Sequence, residues 1–447
     1  MIQNIKGYSY NDLTLVPVEI SNVSSRSECN PFIGDKFLPI FTAPMASVVN
    51  FENYEKFLDN GITPIIPRNI SLEVRKDLMN DQQWTALSMK EFEDLFINNY
   101  LDRIGDFRTH YFICVDIANG HMKSLYDKCI IAKKNADAGD YKLTIMTGNI
   151  ANAKTYEWIS KNSTYLDKKG KRKCAIDFIR VGIGGGCGCI TSSNVSIHYP
   201  QASLINECYQ VKQDLENETL RQGAYDEIPK YNYDLPKIVA DGGIRNYDHV
   251  IKALALGADY VMIGSLFAQC IESAGDKTQK NIDQKIPINF PVLRYKDFYK
   301  DDKGNWWGHY TDDFIEHSLE PWKNDIDKYK DQPVGSITTN DYLIAVEKYN
   351  DKLKELACDK FIGTIDVKFF GMASADGQKS ISGKKTKTAE GITKYLPVKY
   401  TLSGWVENMI SYLRSAMSYC DCFKLEEFIG KPTLIVNSIS EIHAVNK

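Results

Sequence analysis

Short apolar runs alternate with longer helix-compatible segments over most of the chain's first two thirds. Eight of these runs have the length and the β-branched or aromatic content of buried strands: Leu38–Ala43, Ile62–Ile66, Trp84–Ser88, Tyr111–Asp116, Leu143–Thr147, Phe178–Val181, Lys237–Ala240 and Tyr260–Ile263. Segments of helical length lie between most of them, including His121–Ala136, Ala151–Lys161 and Tyr247–Leu256. Strands that are apolar throughout are typical of parallel sheets, whose connections are usually helices. Eight such units predict an α/β fold, a closed (β/α)₈ TIM barrel.

The alternation stops after Ser273. Residues 276–361 are polar and rich in Lys, Asp, Tyr and Trp, with helical signals at Asn340–Leu356. We expect residues 1–447 to form one barrel domain that carries residues 276–361 as an insertion after the eighth strand, folded onto the catalytic face. A solvated lobe that serves only assembly is an equally good interpretation. The amphipathic segment Leu402–Met417 predicts the closing helix of the barrel.

The composition of the chain limits the classes of partner and the compartments that we expect for the protein. Apolar residues make up 43% of the chain, charged residues 25%, and the formal net charge is −4, so no basic surplus indicates nucleic acid as a partner. The N-terminus has no signal-peptide pattern, and no apolar run has the length of about 18 residues needed to span a membrane. Eleven unevenly spaced cysteines indicate reduced thiols, and we expect a cytoplasmic protein.

The segment from Arg180 to Thr191 starts at the end of the sixth predicted strand and contains four glycines before Cys187. Glycines let a backbone approach a ligand closely, and barrel active sites lie at the carboxyl ends of the strands. Cys189 is therefore a candidate nucleophile, with Thr191 as a proton-handling neighbour. A tight structural turn with inert cysteines is the alternative. The C-x-C pairs at Cys187 and Cys420 are poorly spaced for zinc, so we predict no metal site.

A second constellation follows the seventh and eighth predicted strands. It consists of Val239–Ile244, with the sequence VADGGI, and Val261–Leu266, with the sequence VMIGSL. Barrels commonly bind phosphate with backbone N–H groups at this position. Ser265 adds a hydroxyl donor, and Asp241 is placed to accept hydrogen bonds from ribose hydroxyls. A plain βα turn would give the same pattern.

Taken together, these motifs resemble the IMP dehydrogenase/GMP reductase family over most of the chain. Further segments match the family's order of motifs: Tyr8–Pro17, Ala43–Val48, Asp116–Gly120, Met146–Ile150, Phe370–Ser374 and Ala389–Gly391. The resemblance implies a barrel enzyme that binds a purine mononucleotide and a nicotinamide cofactor.

The resemblance also implies roles for individual residues. Cys189 would add to the purine ring, with Thr191 and Glu390 managing protons. Further residues would bind the substrate: Asp241 at the ribose; Gly243, Gly264 and Ser265 at the 5′-phosphate; Met372, Ser374, Glu390 and Gly391 at the base. Three residues would face the nicotinamide: Asp116, Asn149 and Gly182.

Two absences favour the reductase branch, with NADPH-dependent conversion of GMP to IMP and ammonia. The dehydrogenases use an Arg-Tyr pair on a flap before the glutamate, whereas Ala375–Gly383 contains neither residue. The chain also lacks the paired CBS modules that most dehydrogenases insert after the early strands. An NAD-dependent dehydrogenase acting on IMP or a related nucleotide is the second hypothesis, and a non-catalytic nucleotide-binding barrel is the third. The resemblance further implies a homotetramer.

Several positions depart from the family pattern. Cys187 stands where the family usually has a serine that binds phosphate, and Gly188 replaces a larger residue. Arg68 stands near the usual reductase lysine, and Ala46 replaces an aspartate. These changes leave the expected fold intact and bear on the choice of substrate.

Overall fold

The computed structural model describes residues 7–99, 109–223, 234–280, 285–288, 295–328, 338–383 and 389–437. Its strands are β1 (Leu13–Val16), β2 (Ile40–Thr42), β3 (Thr85–Leu87), β4 (His110–Val115), β5 (Lys142–Ile150), β6 (Thr164–Leu166), β7 (Arg172–Cys174), β8 (Phe178–Val181), β9 (Lys237–Asp241), β10 (Tyr260–Ile263), β11 (Lys277–Lys280), β12 (Lys285–Ile288), β13 (Tyr295–Lys300), β14 (Trp306–Tyr310), β15 (Lys360–Gly363), β16 (Ile365–Phe370), β17 (Thr393–Pro397) and β18 (Thr433–Val436).

The α-helices are α1 (Tyr54–Asp59), α2 (Leu72–Asn80), α3 (Met89–Glu93), α4 (Lys123–Ala138), α5 (Ala153–Asn162), α6 (Thr191–Asn194), α7 (Gln201–Gly223), α8 (Tyr247–Ala255), α9 (Ser265–Ala268), α10 (Asp312–Asp327), α11 (Thr338–Ala357), α12 (Ala375–Ser382), α13 (Leu402–Tyr419) and α14 (Leu425–Phe428). No helix in the described ranges is both long enough and apolar enough to cross a membrane.

Seven parallel strands form the central sheet, in the order β2-β10-β9-β8-β5-β4-β3. The predicted second strand, Ile62–Ile66, lies between β2 and β3. It closes the sheet through two isolated parallel bridges, Phe41 to Thr63 and Ile66 to Thr85. The eight predicted strands therefore all lie in the barrel wall, although the second contributes bridges rather than a continuous ladder. The prediction of a (β/α)₈ barrel is confirmed.

Large side chains fill the inside of the barrel. Trp84 lies with its ring centroid 5.4 Å from each of the rings of Phe41, Phe112 and Phe178. Tyr260 stacks on Phe41 at 4.9 Å. Because these aromatic residues lie on or next to five different strands and pack against one another, the interior is a packed core and not a pore.

The helices cover the outside of the sheet close to where the sequence places them. The predicted segment Leu402–Met417 is α13, which buries Trp405 against Phe267 and Tyr247. The Thr401 hydroxyl caps this helix by accepting a hydrogen bond from the N–H of Gly404. A β-branched hydroxyl residue directly before an apolar periodic segment is a start signal for a helix.

The segment between α9 and α13 contains two further sheets. One has the strand order β12-β11-β16-β17 and the other β13-β14-β15, with α10 and α11 between β14 and β15. A separate hydrophobic cluster that includes Trp306, Ile365 and Val367 links them. The Trp306 indole N–H donates to the carbonyl of Val398 at 3.3 Å, near the start of α13. The placement of residues 276–361 on the catalytic face remains a prediction.

Candidate active site

A cavity of about 210 Å³ lies where the loops after several barrel strands meet. The residues that line it come from four stretches far apart in the sequence: Ala43 and Met45; Gly185 to Cys189; Asp241 to Arg245 with Met262, Gly264 and Ser265; and Phe369, Gly371 to Ala373, Glu390 and Gly391. The strands β2, β8, β9 and β10 each end at this cavity. The site therefore lies at the end of the barrel where such enzymes bind their substrates.

The cysteine loop (residues 182–190) depends on close backbone packing. Gly182 has φ +136°, and a Cβ atom there would lie 2.2 Å from the carbonyl oxygen of Asp241. A Cβ atom on Gly391 would lie 2.9 Å from the backbone nitrogen of Ser374. Side chains at these two positions would push the loop away from the adjacent segments, so glycine is needed for the observed contact.

Cys189, Thr191 and Glu390 form a continuous hydrogen-bonded chain. The thiol of Cys189 donates to the hydroxyl of Thr191 over 3.2 Å. The Thr191 hydroxyl in turn donates to the Glu390 carboxylate, with 3.0 Å between Oγ1 and Oε2. This arrangement can carry a proton from the sulfur to the carboxylate, which is the requirement for turning a thiol into a nucleophile.

Backbone pairing brings Glu390 to the cysteine loop. Cys189 and Gly391 form an antiparallel bridge, and Ser374 and Gly391 form a parallel one. The N–H of Ile190 donates to the Glu390 carbonyl at 2.9 Å, and the N–H of Glu390 donates to the carbonyl of Ala373 at 3.1 Å. The segment around Glu390 is thus held between two neighbours, and its position does not depend on the side chain.

The residues predicted to bind the substrate fall into two groups. Gly243, Gly264, Ser265, Met372, Gly391 and Asp241 line the cavity. Ser374 lies behind the wall: it is buried, and its hydroxyl accepts a hydrogen bond from the N–H of Gly377 at the start of α12. The side chain of Ser374 therefore caps a helix, and only its backbone lies next to Gly391.

The three residues predicted to face the cofactor lie beside this cavity rather than in its lining. Asn149 donates from Nδ2 to the Gly182 carbonyl at 2.9 Å and to the Asp241 carboxylate at 2.7 Å. Asp116 accepts from Arg68 at 3.0 Å and from Arg180 at 3.1 Å. Asn149 and Gly182 are therefore in direct contact, and Asp116 is joined to them through Arg180, which lies 3.9 Å from Asp241.

Burial shifts the pKa of one carboxylate of this group. Desolvation raises the pKa of Asp241, while the positive charge of Arg180 and the hydrogen bond from Asn149 oppose the rise. The Asp116 carboxylate also raises it by repulsion. A carboxylate held by one amide and one guanidinium keeps oxygen lone pairs free for hydroxyl donors such as those of ribose.

The polar groups beside Asp116 bear on the predicted contacts with a nicotinamide ring. The Oδ1 atom of Asn149 accepts no hydrogen bond from the residues that the structure describes, and the buried Nη2 and Nε atoms of Arg180 have no partner there either. A carboxamide has an NH₂ group that can donate to an oxygen such as Oδ1 and a carbonyl oxygen that can accept from a guanidinium N–H. Asp116, Asn149 and Gly182 would hold the ring next to the cysteine loop.

Sequence reasoning missed several residues of this site. Met45 and Phe369 contribute apolar walls, and Arg245 lines the cavity two residues after the predicted phosphate turn. Arg180 is 3% exposed and joins Asp116 to Asp241. An arginine at the end of an otherwise apolar buried strand is the signal that could have revealed Arg180, since a buried charge needs nearby partners.

The comparison with protein families agrees with this geometry. Residues 98–286 match the IMP dehydrogenase / GMP reductase domain. This stretch contains β4 to β10 and the whole cysteine loop, while Met372 and Glu390 lie beyond it. This part of the chain, somewhat less than half of its length, is similar to the IMP dehydrogenase/GMP reductase family.

Known relatives refine the position within the family. The GMP reductase of Pediococcus pentosaceus is 28% identical over 281 residues, which cover 61% of this chain and 74% of the relative. The GMP reductase of Caenorhabditis elegans is 26% identical over 257 residues, covering 55% and 60%. GMP reductase 2 of Bos taurus is 25% identical over 297 residues, covering 63% and 74%. The chain is therefore nearer to the reductase branch, and it is an NAD(P)-dependent oxidoreductase.

Proposed function

We propose that the chain catalyses the NADPH-dependent reductive deamination of GMP to IMP and ammonia, through a covalent bond between Cys189 and the purine. The hydrogen-bonded chain from Cys189 through Thr191 to Glu390 carries the proposal, because it supplies a nucleophile and a proton acceptor at the cavity. The similarity to proteins named GMP reductase supports the same direction of reaction.

The atom attacked is C2 of the purine rather than C6, because the amino group of GMP is on C2 and IMP carries hydrogen there. In the first half-reaction the Cys189 sulfur forms a bond to C2. The thiol proton passes to Thr191 while the Thr191 proton passes to Glu390. Glu390 then returns this proton to the amino group, which leaves as ammonia as the C2–N bond breaks, and the purine remains bound to the sulfur through C2.

The second half-reaction needs a hydride at C2, which a bound nicotinamide supplies. Asp116, Asn149 and Gly182 would orient that ring beside the cysteine loop. The carbon–sulfur bond then breaks, IMP leaves, and Cys189 regains its proton through Thr191. Overall, GMP, NADPH and two protons become IMP, NADP⁺ and ammonium, so atoms and charge balance.

The segment before Glu390 favours reduction over hydrolysis. A dehydrogenase must add water to the covalent intermediate, which requires a base. The corresponding residues 375–382 form helix α12 and contain no arginine, tyrosine or histidine. We further propose that the enzyme is cytoplasmic and assembles as a homotetramer.

Absorbance at 340 nm tests the reaction, with NADPH plus GMP measured beside NAD plus IMP. Loss of NADPH with stoichiometric release of ammonia is the expected result. Formation of NADH from IMP would replace the proposal with the dehydrogenase reaction. Absence of turnover in both assays, with retained nucleotide binding, would favour a non-catalytic barrel.

Replacement of Cys189 by Ala tests the covalent step. We expect turnover to be abolished while equilibrium binding of GMP is retained, because the sulfur forms a bond to the base but does not hold the ribose or phosphate. Cys187→Ala is the matched control, since Cys187 lines the same cavity but has no hydrogen bond to Thr191 among the described contacts. Wild-type activity in Cys189→Ala would exclude the mechanism.

A further inference from the structure

The eleven cysteines of the chain are all free, but they differ in their access to solvent. Eight are buried, and Cys358 is exposed. Cys187 and Cys189 are partly exposed and lie two residues apart in the cysteine loop. Both line the cavity of the candidate active site, and both also line a second cavity next to it. A small molecule that enters either cavity therefore meets two cysteines that are neighbours in the chain.

The cysteine loop holds these two residues within the range of a disulfide bond. Cys187 and Gly188 are the centre of a turn, which is closed by a hydrogen bond from the N–H of Cys189 to the carbonyl of Gly186 at 3.1 Å. Residues two apart in the chain have Cα atoms at most about 7 Å apart, and a turn shortens this separation. Disulfides usually join residues whose Cα atoms are about 4.4 to 6.8 Å apart. The two sulfurs can therefore be joined by rotation of their side chains.

Backbone contacts, rather than side chains, hold this turn in the site. A Cβ atom on Gly188 would lie 3.2 Å from the backbone nitrogen of Gly371, so the turn packs closely against that segment. The carbonyl of Gly188 accepts a hydrogen bond from the N–H of Ile392 at 2.9 Å. These contacts do not depend on the direction of the neighbouring side chains. The sulfur of Cys189 can therefore turn away from Thr191 while the loop stays in place.

The site that activates Cys189 toward a purine also activates it toward other electrophiles. Its thiol proton can pass through Thr191 to Glu390 whatever the sulfur attacks. Peroxides convert an accessible cysteine to sulfenic acid, and further oxidation to sulfinic acid is irreversible in most proteins. A second thiol nearby prevents this loss by condensing with the sulfenic acid to a disulfide, which thiol reductants reopen. Cys187 provides such a thiol where the related family usually has a serine.

We propose that Cys187 and Cys189 form a reversible disulfide when a peroxide enters the site, and that Cys187 thereby protects the nucleophile from irreversible oxidation. The Cys189 sulfur first forms a bond to one oxygen of hydrogen peroxide. The O–O bond breaks, and the second oxygen leaves as water with the thiol proton. The Cys187 sulfur then attacks the Cys189 sulfur, the S–O bond breaks, and the hydroxyl leaves as water with the Cys187 proton. Two thiols and one hydrogen peroxide thus become one disulfide and two waters.

Peptide mass spectrometry of the full-length protein after treatment with hydrogen peroxide tests the proposal. The wild-type peptide that contains both cysteines should lose two hydrogens, and dithiothreitol should restore its mass. Turnover of GMP should be lost with the same time course and should return with the reductant. In Cys187→Ser and Cys187→Ala, Cys189 should instead gain oxygen as sulfinic acid, and dithiothreitol should restore neither the mass nor the activity.

Cys358→Ser is the matched control, because Cys358 is exposed but lies outside the lining of both cavities, and it should behave as wild type. Sulfinic acid at Cys189 of the wild type, formed as fast as in Cys187→Ser and without a disulfide, would overturn the proposal. A disulfide that joins either residue to a different cysteine would overturn it as well.

The inference rests on the proposed function only in taking Cys189 as the nucleophile, and the two can fail separately. Peptide masses do not depend on turnover. A disulfide between Cys187 and Cys189 in a protein that does not reduce GMP would therefore sustain the inference while the proposed reaction fails. An active enzyme that forms no such disulfide would contradict the inference alone.

Discussion

At the residue scale, Cys189, Thr191 and Glu390 should behave as one unit. Replacing Thr191 by Val removes the hydroxyl between the sulfur and the carboxylate while preserving side-chain volume. Positioned proton transfer contributes about 10²- to 10⁴-fold to catalysis, so we expect kcat to fall within that range with little change in GMP binding. Glu390→Gln should have the same effect, because the amide cannot accept the proton.

Steady-state kinetics and the rate of Cys189 alkylation by iodoacetamide measure this coupling. Thr191→Ser keeps the hydroxyl and should retain most of the activity and the alkylation rate. If Thr191→Val reacts with iodoacetamide and with GMP as fast as wild type, the hydrogen-bonded chain has no role in activating the thiol.

A second residue-scale prediction concerns Lys277, which is 4% exposed and donates to the Ser273 hydroxyl at 3.2 Å. Desolvation lowers the pKa of Lys277 to about 7, partly opposed by Glu272, Cys270 and Asp276. Between that value and the unfolded value of 10.5, the unfolded chain binds one more proton than the folded chain. Stability attributable to Lys277 therefore rises with pH in this window, by up to about 1.4 kcal/mol per pH unit.

Urea unfolding of wild type and Lys277→Met at several pH values from 7 to 10 measures this slope. The difference in unfolding free energy between the two proteins should change steadily across the series. Lys303→Met, at an exposed lysine in the β13–β14 turn, is the control and should run parallel to wild type. Parallel curves for Lys277→Met would show that the ammonium stays charged in the folded protein.

Much of the site could be predicted from the sequence, because several of its residues are close together in the chain. Gly182 and Cys189 lie in the cysteine loop and Thr191 begins the helix that follows it, so chain connectivity keeps them close. Asp241 ends an adjacent strand of the same barrel, and Gly243 follows it. The resemblance to a family was needed for Glu390, because its position beside Thr191 depends on backbone pairing across 199 residues. Arg245 was missed because an exposed arginine after a turn has no distinguishing pattern.

At the element scale, the strands of the barrel were predictable because each is a continuous apolar run. The second predicted strand, Ile62–Ile66, differs from the others because its residues Thr63 and Ile66 make only isolated bridges and no continuous ladder. An apolar run indicates that a strand is buried, but it does not indicate whether the strand's hydrogen-bond ladder is continuous. The sequence therefore could not distinguish a continuous ladder from isolated bridges. The strand order within the two antiparallel sheets after β10 was not predicted, because pairing such as β11 with β16 joins residues far apart in sequence.

The cluster around Trp306 gives an element-scale prediction. Trp306 is 2% exposed, and its indole donates to the carbonyl of Val398. Trp306→Ala should cost about 3–5 kcal/mol in local stability by creating a cavity, while Trp306→Phe should cost about 1 kcal/mol through the lost hydrogen bond. Amide hydrogen exchange should accelerate in β13, β14 and β15 and stay unchanged in β4, β5 and β8. Equal acceleration in both sets of strands would show that the segment and the barrel open as one unit.

At the scale of the whole molecule, the residues of the reaction and the residues that stabilise the fold lie at opposite ends of the barrel. The Cys189 loop, the Gly243 turn and Ser265 all follow the carboxyl ends of their strands. The aromatic cluster of Trp84, Phe112 and Phe178 lies near the amino ends of β3, β4 and β8. In barrels of this kind the first end carries the reaction and the second carries stability.

Trp84→Ala tests this separation. Trp84 is 8% exposed and contacts three other aromatic rings, so its removal should lower the free energy of unfolding by about 3–5 kcal/mol. KM for GMP, measured well below the unfolding transition, should stay at the wild-type value because the cavity residues keep their backbone contacts. Trp158→Ala, at a tryptophan that is 37% exposed on α5, should lose much less stability. A raised KM in Trp84→Ala would instead mean that the packing of the barrel interior positions the cysteine loop, since the two ends would then be coupled through the strands that join them.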